Sequence, residues 1–284
     1  MKTGRVQSLF GCPCIEKTMA KTTISIACCQ FAPELAEPTK NAAKATQLIS
    51  SLKPGQVQFL ILPEMAFSGY AFRSKEHIEP FLEDAETGLT VTWARETAIR
   101  LQCHVVVGYP RRDKESETNF NSCCVVDAKG TLLLTYDKHF LYETDETWAK
   151  EGAGFTTIEI PEIGKVGFGI CMDINPYKFT APWEAFEFAN YHVAANTRLL
   201  LMPMAWLDSE TRSNNVYNLP NYWASRLTPL IGKPCVVVTC NRTGGEGSVQ
   251  YAGCSCVVSL QKPVLISQLN KKQENVLVTE VELP

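Results

Sequence analysis

The chain has 284 residues, of which 45% are hydrophobic and 20% charged, with a formal net charge of −3 and a pI near 5.9. This composition suits a globular protein with a sizeable core, and it lacks the basic balance expected of a nucleic-acid-binding protein. The longest apolar runs, such as Val105–Gly108 and Leu199–Met204, are too short to cross a bilayer, so we expect no membrane partner.

The twelve cysteines do not resemble a disulfide framework. Several lie inside apolar strand-like runs, among them Cys123-Cys124 and Cys235, where a reduced thiol packs as a small hydrophobe. The pairs Cys12-Pro-Cys14 and Cys254-Ser-Cys256 lack the CxxC spacing of structural zinc sites, so we expect no metal. No secretory signal is recognisable, and we therefore expect a reducing compartment, the cytoplasm, with the nucleus and mitochondrion as alternatives.

Residues 1–20 differ from the rest of the chain. They have no apolar periodicity, and Met19 stands just before the first strand-like run. We interpret residues 1–20 as an N-terminal extension, either a targeting segment or the result of an alternative start, and residues 21–284 as one domain.

Apolar runs of strand length alternate with segments of helical spacing from residue 22 onward. Single strands and hairpins separated by helices predict mixed sheets covered by helices, an α/β layered sandwich. In chain order we expect strand Thr22–Gln30, helix Thr39–Lys53, strand Val57–Leu62, helix Leu89–Gln102, strands His104–Tyr109, Ser122–Asp127, Thr131–Tyr136, Phe155–Ile160 and Lys165–Ile170, helix Pro182–Ala195, strand Leu199–Met204, helix Asn214–Ile231, and strands Cys235–Thr239, Tyr251–Leu260, Pro263–Gln268 and Asn275–Val281.

Three of these strands end in groups of complementary chemistry: Glu64, Lys138 and Cys171. Taken singly, each fits a simpler interpretation, a solvated acid, a surface lysine and a core thiol. Together they form a reactive set, because α/β folds place chemistry at the carboxyl ends of strands. A carboxylate can take the thiol proton, and an ammonium can neutralise a developing oxyanion.

The segments Leu62-Pro63-Glu64, Tyr136-Asp137-Lys138 and Gly169–Asp173 resemble, in order and spacing, the Glu-Lys-Cys motifs of the nitrilase, or carbon–nitrogen hydrolase, family. The resemblance covers about residues 21–284. It implies a nitrilase-like four-layer αββα sandwich with Glu64, Lys138 and Cys171 as catalytic triad. It also implies that the reaction needs no metal and no organic cofactor.

Further blocks are similar to one branch of that family, the fungal protein N-terminal amidases. This similarity implies a substrate with a free N-terminal Asn or Gln, deamidated to Asp or Glu with release of ammonia, a step that feeds the N-degron route. The blocks are Phe67–Tyr70, Gly169–Phe179, Pro203–Leu207, Asn221–Trp223, Asn241-Arg242 and Tyr251–Gly253.

Family members use a second glutamate after the lysine, which here falls in an acidic loop. Glu146, eight residues after Lys138, fits the spacing best, with Asp145 and Glu143 as rivals and a merely solvated loop as the alternative.

The resemblance also calls for a group that binds the substrate's α-ammonium. Asp173, Asp145 and Asp208 are candidates, although Asp173 fits a structural role equally well. Aromatic residues are expected as pocket walls: Tyr70, Trp206, Phe67 and Trp183.

Two other functions compete with this interpretation. A small-molecule amidase, nitrilase or carbamoylase would carry the same triad. A catalytically silent binding module of this fold would have a broken triad, whereas all three residues are present here. The sequence is compatible with both a monomer and a homodimer.

Overall fold

The computed structural model describes residues 22–208 and 219–283, and the predicted extension over residues 1–20 lies outside them. Within the described part the α-helices are α1 Pro38–Leu48, α2 Lys75–Ile78, α3 Leu89–Leu101, α4 Glu187–Ala195 and α5 Leu219–Arg226. The strands there are β1 Thr22–Gln30, β2 Phe59–Ile61, β3 His104–Asp113, β4 Thr118–Val126, β5 Leu132–Asp137, β6 Thr156–Ile160, β7 Gly164–Phe168, β8 Leu199–Met204, β9 Val236–Asn241, β10 Gly245–Glu246, β11 Val249–Gln250, β12 Cys256–Ser259, β13 Val264–Gln268 and β14 Asn275–Leu283.

Among the predicted elements that are shorter than expected, two are shortened for the same backbone reason. Helix α4 begins at Glu187 instead of residue 182, because Phe186 adopts a φ of +44° that interrupts the helix. The strand predicted over Tyr251–Leu260 is confined to β12, since Cys254 has a φ of +60° just before it. Residues 214–218 of the predicted helix Asn214–Ile231 lie outside the described part of the chain. Helix α5 ends at Arg226, before the predicted end, and a 3₁₀ turn follows at Thr228–Leu230.

The strands form two six-stranded mixed sheets. The first has the order β14-β1-β2-β3-β4-β5, with β1, β2 and β3 parallel and the other pairs antiparallel. The second has the order β13-β12-β9-β8-β7-β6, with β7, β8 and β9 parallel. A third, two-stranded ribbon pairs β10 with β11.

The sheets lie face to face, and helices cover their outer faces. Along β1 successive side chains point to opposite sides, so Ile26 enters the core between the sheets while Ala27 packs with Ala94 of α3. On the second sheet, Phe188 of α4 and Trp223 of α5 join the buried cluster. These layers confirm the predicted αββα sandwich in a single domain. No helix among the described residues is long and apolar enough to span a bilayer.

The sheet directions bring four strand exits to one edge of the sandwich. The chain leaves β2 toward Glu64, β5 at Lys138, β7 toward Cys171 and β8 at Ala205. In the first sheet β2 and β5 run in the same direction, as do β7 and β8 in the second. The three residues that the sequence singled out therefore meet at the carboxyl ends of strands from both sheets.

We expect buried side chains of the second sheet to contribute far more to the stability of the fold than its exposed side chains. Leu201→Ala in β8, a residue with no exposed surface, should lower the free energy of unfolding by about 2–5 kcal/mol. Leu265→Ala in β13, where the side chain is 43% exposed, should change it by less than about 0.5 kcal/mol. Urea denaturation of both variants measures the difference, and equal losses would contradict this assignment of the core.

Candidate active site

A buried cluster of charged side chains forms where the first sheet ends. Lys138 Nζ donates to Glu64 Oε1 at 2.7 Å and to Asp145 Oδ2 at 2.6 Å, and none of the three side chains has exposed surface. Asn121 Nδ2 donates to Glu64 Oε1 at 2.7 Å and to Asp145 Oδ1 at 3.0 Å. The backbone N–H of Ala205 donates to Glu64 Oε2 at 2.8 Å. Two carboxylates are thus held by one ammonium and one amide.

Asp145 occupies the place that the sequence analysis assigned to Glu146. Glu146 points outward with 43% of its side chain exposed and pairs with Lys178 at 3.2 Å. Glu143 is also exposed. The structure therefore places Asp145, and not Glu146, beside Lys138, because adjacent residues of the tight 3₁₀ turn Asp145–Thr147 project in different directions.

The surroundings of Glu64 favour its protonated form. Burial raises the pKa of Glu64, the Lys138 ammonium opposes this, and the negative charge of Asp145 raises it again, with a net increase. For Lys138, burial alone would lower the pKa, but the Asp145 and Glu64 charges outweigh it and the pKa is raised. The lysine therefore stays cationic, while Glu64 is suited to exchanging a proton.

Cys171 opens a short 3₁₀ turn, Cys171–Ile174, with a φ of +44°. This left-handed conformation is strained for a residue with a Cβ, and such strain recurs at functional sites. Burial raises the pKa of the Cys171 thiol well above its ordinary value, and the Glu64 charge adds to this. The Lys138 ammonium and, to a smaller extent, the backbone N–H of Ala205 lower the pKa, but they do not outweigh burial. Cys171 is thus a neutral thiol at rest that needs a base.

The thiol opens into a cavity of about 170 Å³ beside the charged cluster. Two of the predicted wall residues, Tyr70 and Trp206, line this cavity, and Tyr70 also places its ring 5.8 Å from Lys138 Nζ. The full lining is Tyr70, Tyr142, Cys171, Met172, Asn175, Phe179, Ala205, Trp206 and Leu207.

The other two expected wall residues lie elsewhere. Phe67 is buried between the first sheet and α3, edge-on to Trp93 at 5.1 Å. Trp183 is 42% exposed, and its ring lies against the Arg226 guanidinium at 4.4 Å. Neither residue is part of the cavity lining.

The acids considered for the substrate ammonium are all engaged with groups of the protein. Asp173 accepts hydrogen bonds from the backbone N–H of Ile170, His139 and Phe140 and from the Tyr136 hydroxyl, all within 3.1 Å. It therefore shapes the turn at Cys171 instead of facing the cavity.

Asp145 is likewise enclosed by its internal partners, the ammonium of Lys138, the amide of Asn121 and the backbone N–H of Tyr142 at 3.0 Å. Asp208 pairs with Lys271 at 3.0 Å, outside the cavity lining.

A second buried ion pair, not anticipated from the sequence, holds the loop that carries Tyr70. Arg242 pairs with Glu246, and its guanidinium lies 3.8 Å from the centre of the Tyr251 ring. Glu246 also accepts hydrogen bonds from the backbone N–H groups of Tyr70 and Ala71 and from the Tyr251 hydroxyl at 2.9 Å. This pair therefore fixes one wall of the cavity.

The described residues offer no cluster of three or more His, Cys, Asp or Glu side chains that could hold a metal ion. Cys254 and Cys256 belong to the described residues, whereas Cys12 and Cys14 lie outside the described part of the chain.

Comparisons with known proteins point to the same chemistry. Residues 25–182 match the family model described as carbon-nitrogen hydrolase. Over 282 residues the chain is 34% identical to the protein N-terminal amidase of Schizosaccharomyces pombe, a match that covers 90% of this chain and 98% of that protein.

Two solved structures share the fold. The crystal structure of an N-terminal amidase with an Asn-Glu-Ala peptide is similar with a TM-score of 0.83 at 20% identity, covering 93% of this chain and 99% of that one. The structure with a Gln-Gly peptide also has a TM-score of 0.83 at 20% identity, covering 93% and 98%.

We predict that breaking the Arg242–Glu246 pair is costly. Glu246→Ala should lower the free energy of unfolding by about 3–5 kcal/mol, because it leaves Arg242 buried without its counter-charge. Glu34→Ala, which removes one partner of the exposed Lys40–Glu34 pair, is the control and should leave the denaturation midpoint unchanged. Chemical denaturation measures both, and a wild-type midpoint for Glu246→Ala would contradict the role assigned to this pair.

Proposed function

The chain belongs to the carbon–nitrogen hydrolase family, and from this premise we propose that it deamidates N-terminal Asn and Gln of peptides and proteins to Asp and Glu, with release of ammonia. The observation that carries the proposal is the buried Glu64–Lys138 pair beside a cavity-lining thiol, Cys171. The similarity to protein N-terminal amidases supports the choice of substrate.

The first step is attack of Cys171 Sγ on the carbon of the substrate side-chain amide. Glu64 takes the thiol proton, for which the raised pKa of its carboxyl group makes it a suitable acceptor. Glu64 Oε1 already accepts a hydrogen bond from Lys138, so we assign this proton transfer to Oε2.

The oxyanion that forms on the amide carbon needs fixed positive partners. A lysine ammonium has three N–H donors, and Lys138 uses two of them on Glu64 and Asp145. We assign the third to the oxyanion, together with the backbone N–H of Met172 in the turn after the nucleophile.

Collapse of this intermediate breaks the carbon–nitrogen bond. Glu64 returns its proton to the nitrogen, ammonia leaves, and a thioester to Cys171 remains. Glu64 then takes a proton from water as the hydroxide adds to the thioester carbon. The carbon–sulfur bond breaks, the thiolate regains the proton, and the carboxylic acid product departs.

The cavity suits a single side chain. Its volume of about 170 Å³ lies below the roughly 300–1,000 Å³ typical of sites for drug-sized ligands. Tyr70 and Trp206 wall the cavity, and Cys171 lies in its lining. The N-terminal amidase structures with Asn-Glu-Ala and Gln-Gly peptides support an Asn or Gln residue as the occupant.

We place this activity in the cytoplasm, within the N-degron route. The ten cysteines of the described residues are buried and form no disulfide, which fits a protein in a reducing compartment. The proposed partners are proteins with a free N-terminal Asn or Gln, and the proposal involves no nucleic acid or membrane.

We predict ammonia release from peptides that begin with Asn or Gln, and none from their N-acetylated copies or from free small amides. Cys171→Ala should lower the rate by at least about a thousandfold, because no other group can form the thioester. A coupled ammonia assay measures the rates.

The controls separate the competing functions. Cys240→Ala removes a buried thiol that lies outside the cavity lining and should keep the activity if the fold is preserved. Hydrolysis of acetylated peptides or small amides would assign the chain to general amidases instead. No hydrolysis at all by a folded sample would favour a binding module.

We also predict that Asp145, and not its neighbour Glu146, supports the reaction. Asp145→Asn removes a charge-assisted hydrogen bond to Lys138 and should lower kcat about 10- to 100-fold. Loss of the Asp145 charge also lowers the pKa of Glu64, so the acidic limb of kcat/KM should move to lower pH. Glu146→Gln is the matched control, and similar kinetics in the two variants would refute the assignment.

A further inference from the structure

One side chain in the charged cluster has no role in the reaction described above. Asn121, in β4, is fully buried and donates from Nδ2 both to Glu64 Oε1 at 2.7 Å and to Asp145 Oδ1 at 3.0 Å. Because carboxylate oxygens accept and the amide NH₂ donates two protons, the amide nitrogen must face the two acids. A neutral side chain therefore bridges the two carboxylates.

The two oxygens of Glu64 are consequently unlike each other. Oε1 receives hydrogen bonds from Lys138 and Asn121. Oε2 receives one from the Ala205 N–H. A proton placed on Oε1 would point toward two donors, so the carboxyl proton can reside only on Oε2.

We propose that Asn121 is a positioning residue that reserves Glu64 Oε2 for proton transfer with Cys171 while holding Glu64 and Asp145 at fixed separation. This inference rests on the proposed function, since it assigns a place to the proton that the reaction moves. Asn121 itself is not among the residues that line the cavity.

The chemistry of the amide explains why asparagine suits this position. Lys138 already supplies the positive charge, and a second cation here would make Glu64 a poorer base. A neutral amide adds two donors without adding charge. Its own carbonyl, Asn121 Oδ1, is buried without a hydrogen-bond partner. A leucine of similar size would fill the same space without burying an unsatisfied oxygen. We therefore attribute the asparagine at this position to its two N–H donors and not to its packing.

The same strand contains a matched control. Asn119 lies two residues earlier in β4, on the same face of the sheet, and is also buried. Its side-chain nitrogen and oxygen have no hydrogen-bond partner. Replacing Asn119 changes the packing of a buried asparagine in β4 without touching the carboxylates.

The test compares Asn121→Leu with Asn119→Leu through two readouts. The first is the alkylation rate of Cys171 by iodoacetamide as a function of pH, followed by mass spectrometry of the Cys171 peptide. The second is the kinetics of ammonia release from an N-terminal Asn peptide. Alkylation requires no peptide substrate, so it tests Asn121 even if the proposed function fails.

We expect Asn121→Leu to lower kcat about tenfold with little change in KM, as for loss of one hydrogen bond to a charged group. Its alkylation profile should move to higher pH, because the Asn121 hydrogen bond lowers the pKa of Glu64. This displacement is opposite in direction to the one expected for Asp145→Asn. Asn119→Leu should follow the wild-type profile.

Superposition of the Asn121→Leu and Asn119→Leu profiles would overturn the inference. If Asn121→Leu does not fold, Asn121→Ser takes its place. The serine hydroxyl can donate to only one of the two carboxylates. A displacement of the alkylation profile to higher pH supports the inference, and a wild-type profile rejects it. Absence of ammonia release by the wild-type protein, with the alkylation shift preserved, would reject the proposed function and keep the positioning role.

Discussion

The ammonium of Lys138, held between two carboxylates away from water, is the interaction on which the rest of the site depends. Burying three charged groups is costly unless each finds partners, and the surrounding donors supply them from Asn121 and from the backbone at Ala205. Two acids share one cation, so the cluster carries an excess of negative charge. That excess, together with burial, raises the pKa of Glu64 and lets it act as an acid and a base in turn.

The cluster draws on both sheets. Glu64 and Lys138 come from the first sheet, and Ala205 from the second, where the chain leaves β8. Strand β3 must approach the backbone at Glu64 closely for these residues to come together. A Cβ on Gly108 in β3 would lie 2.6 Å from the Glu64 Cα, so only glycine leaves room for the chain that carries the base. The close packing of Gly108 in β3 against the Glu64 backbone thus helps to determine where the base lies.

A second buried ion pair performs a related task on the opposite side of Tyr70. Arg242 and Glu246 hold the backbone of the Tyr70 loop, while the Tyr70 ring faces the Lys138 ammonium at 5.8 Å. The two charged clusters therefore meet at one aromatic wall of the cavity. Both are fully enclosed, and in each the loss of one member would leave a buried charge without its partner.

The sequence alone determined the sandwich, the strand exits at Glu64, Lys138 and Cys171, and their order, because apolar runs and the residues that end them are local features. It did not separate Asp145 from Glu146, since two adjacent acids in one turn look alike until packing buries one and exposes the other. Nor did it reveal Asn121, one polar residue in an otherwise ordinary strand. Its partners are 57 and 24 residues away in the chain, so only the tertiary structure brings that amide to both carboxylates.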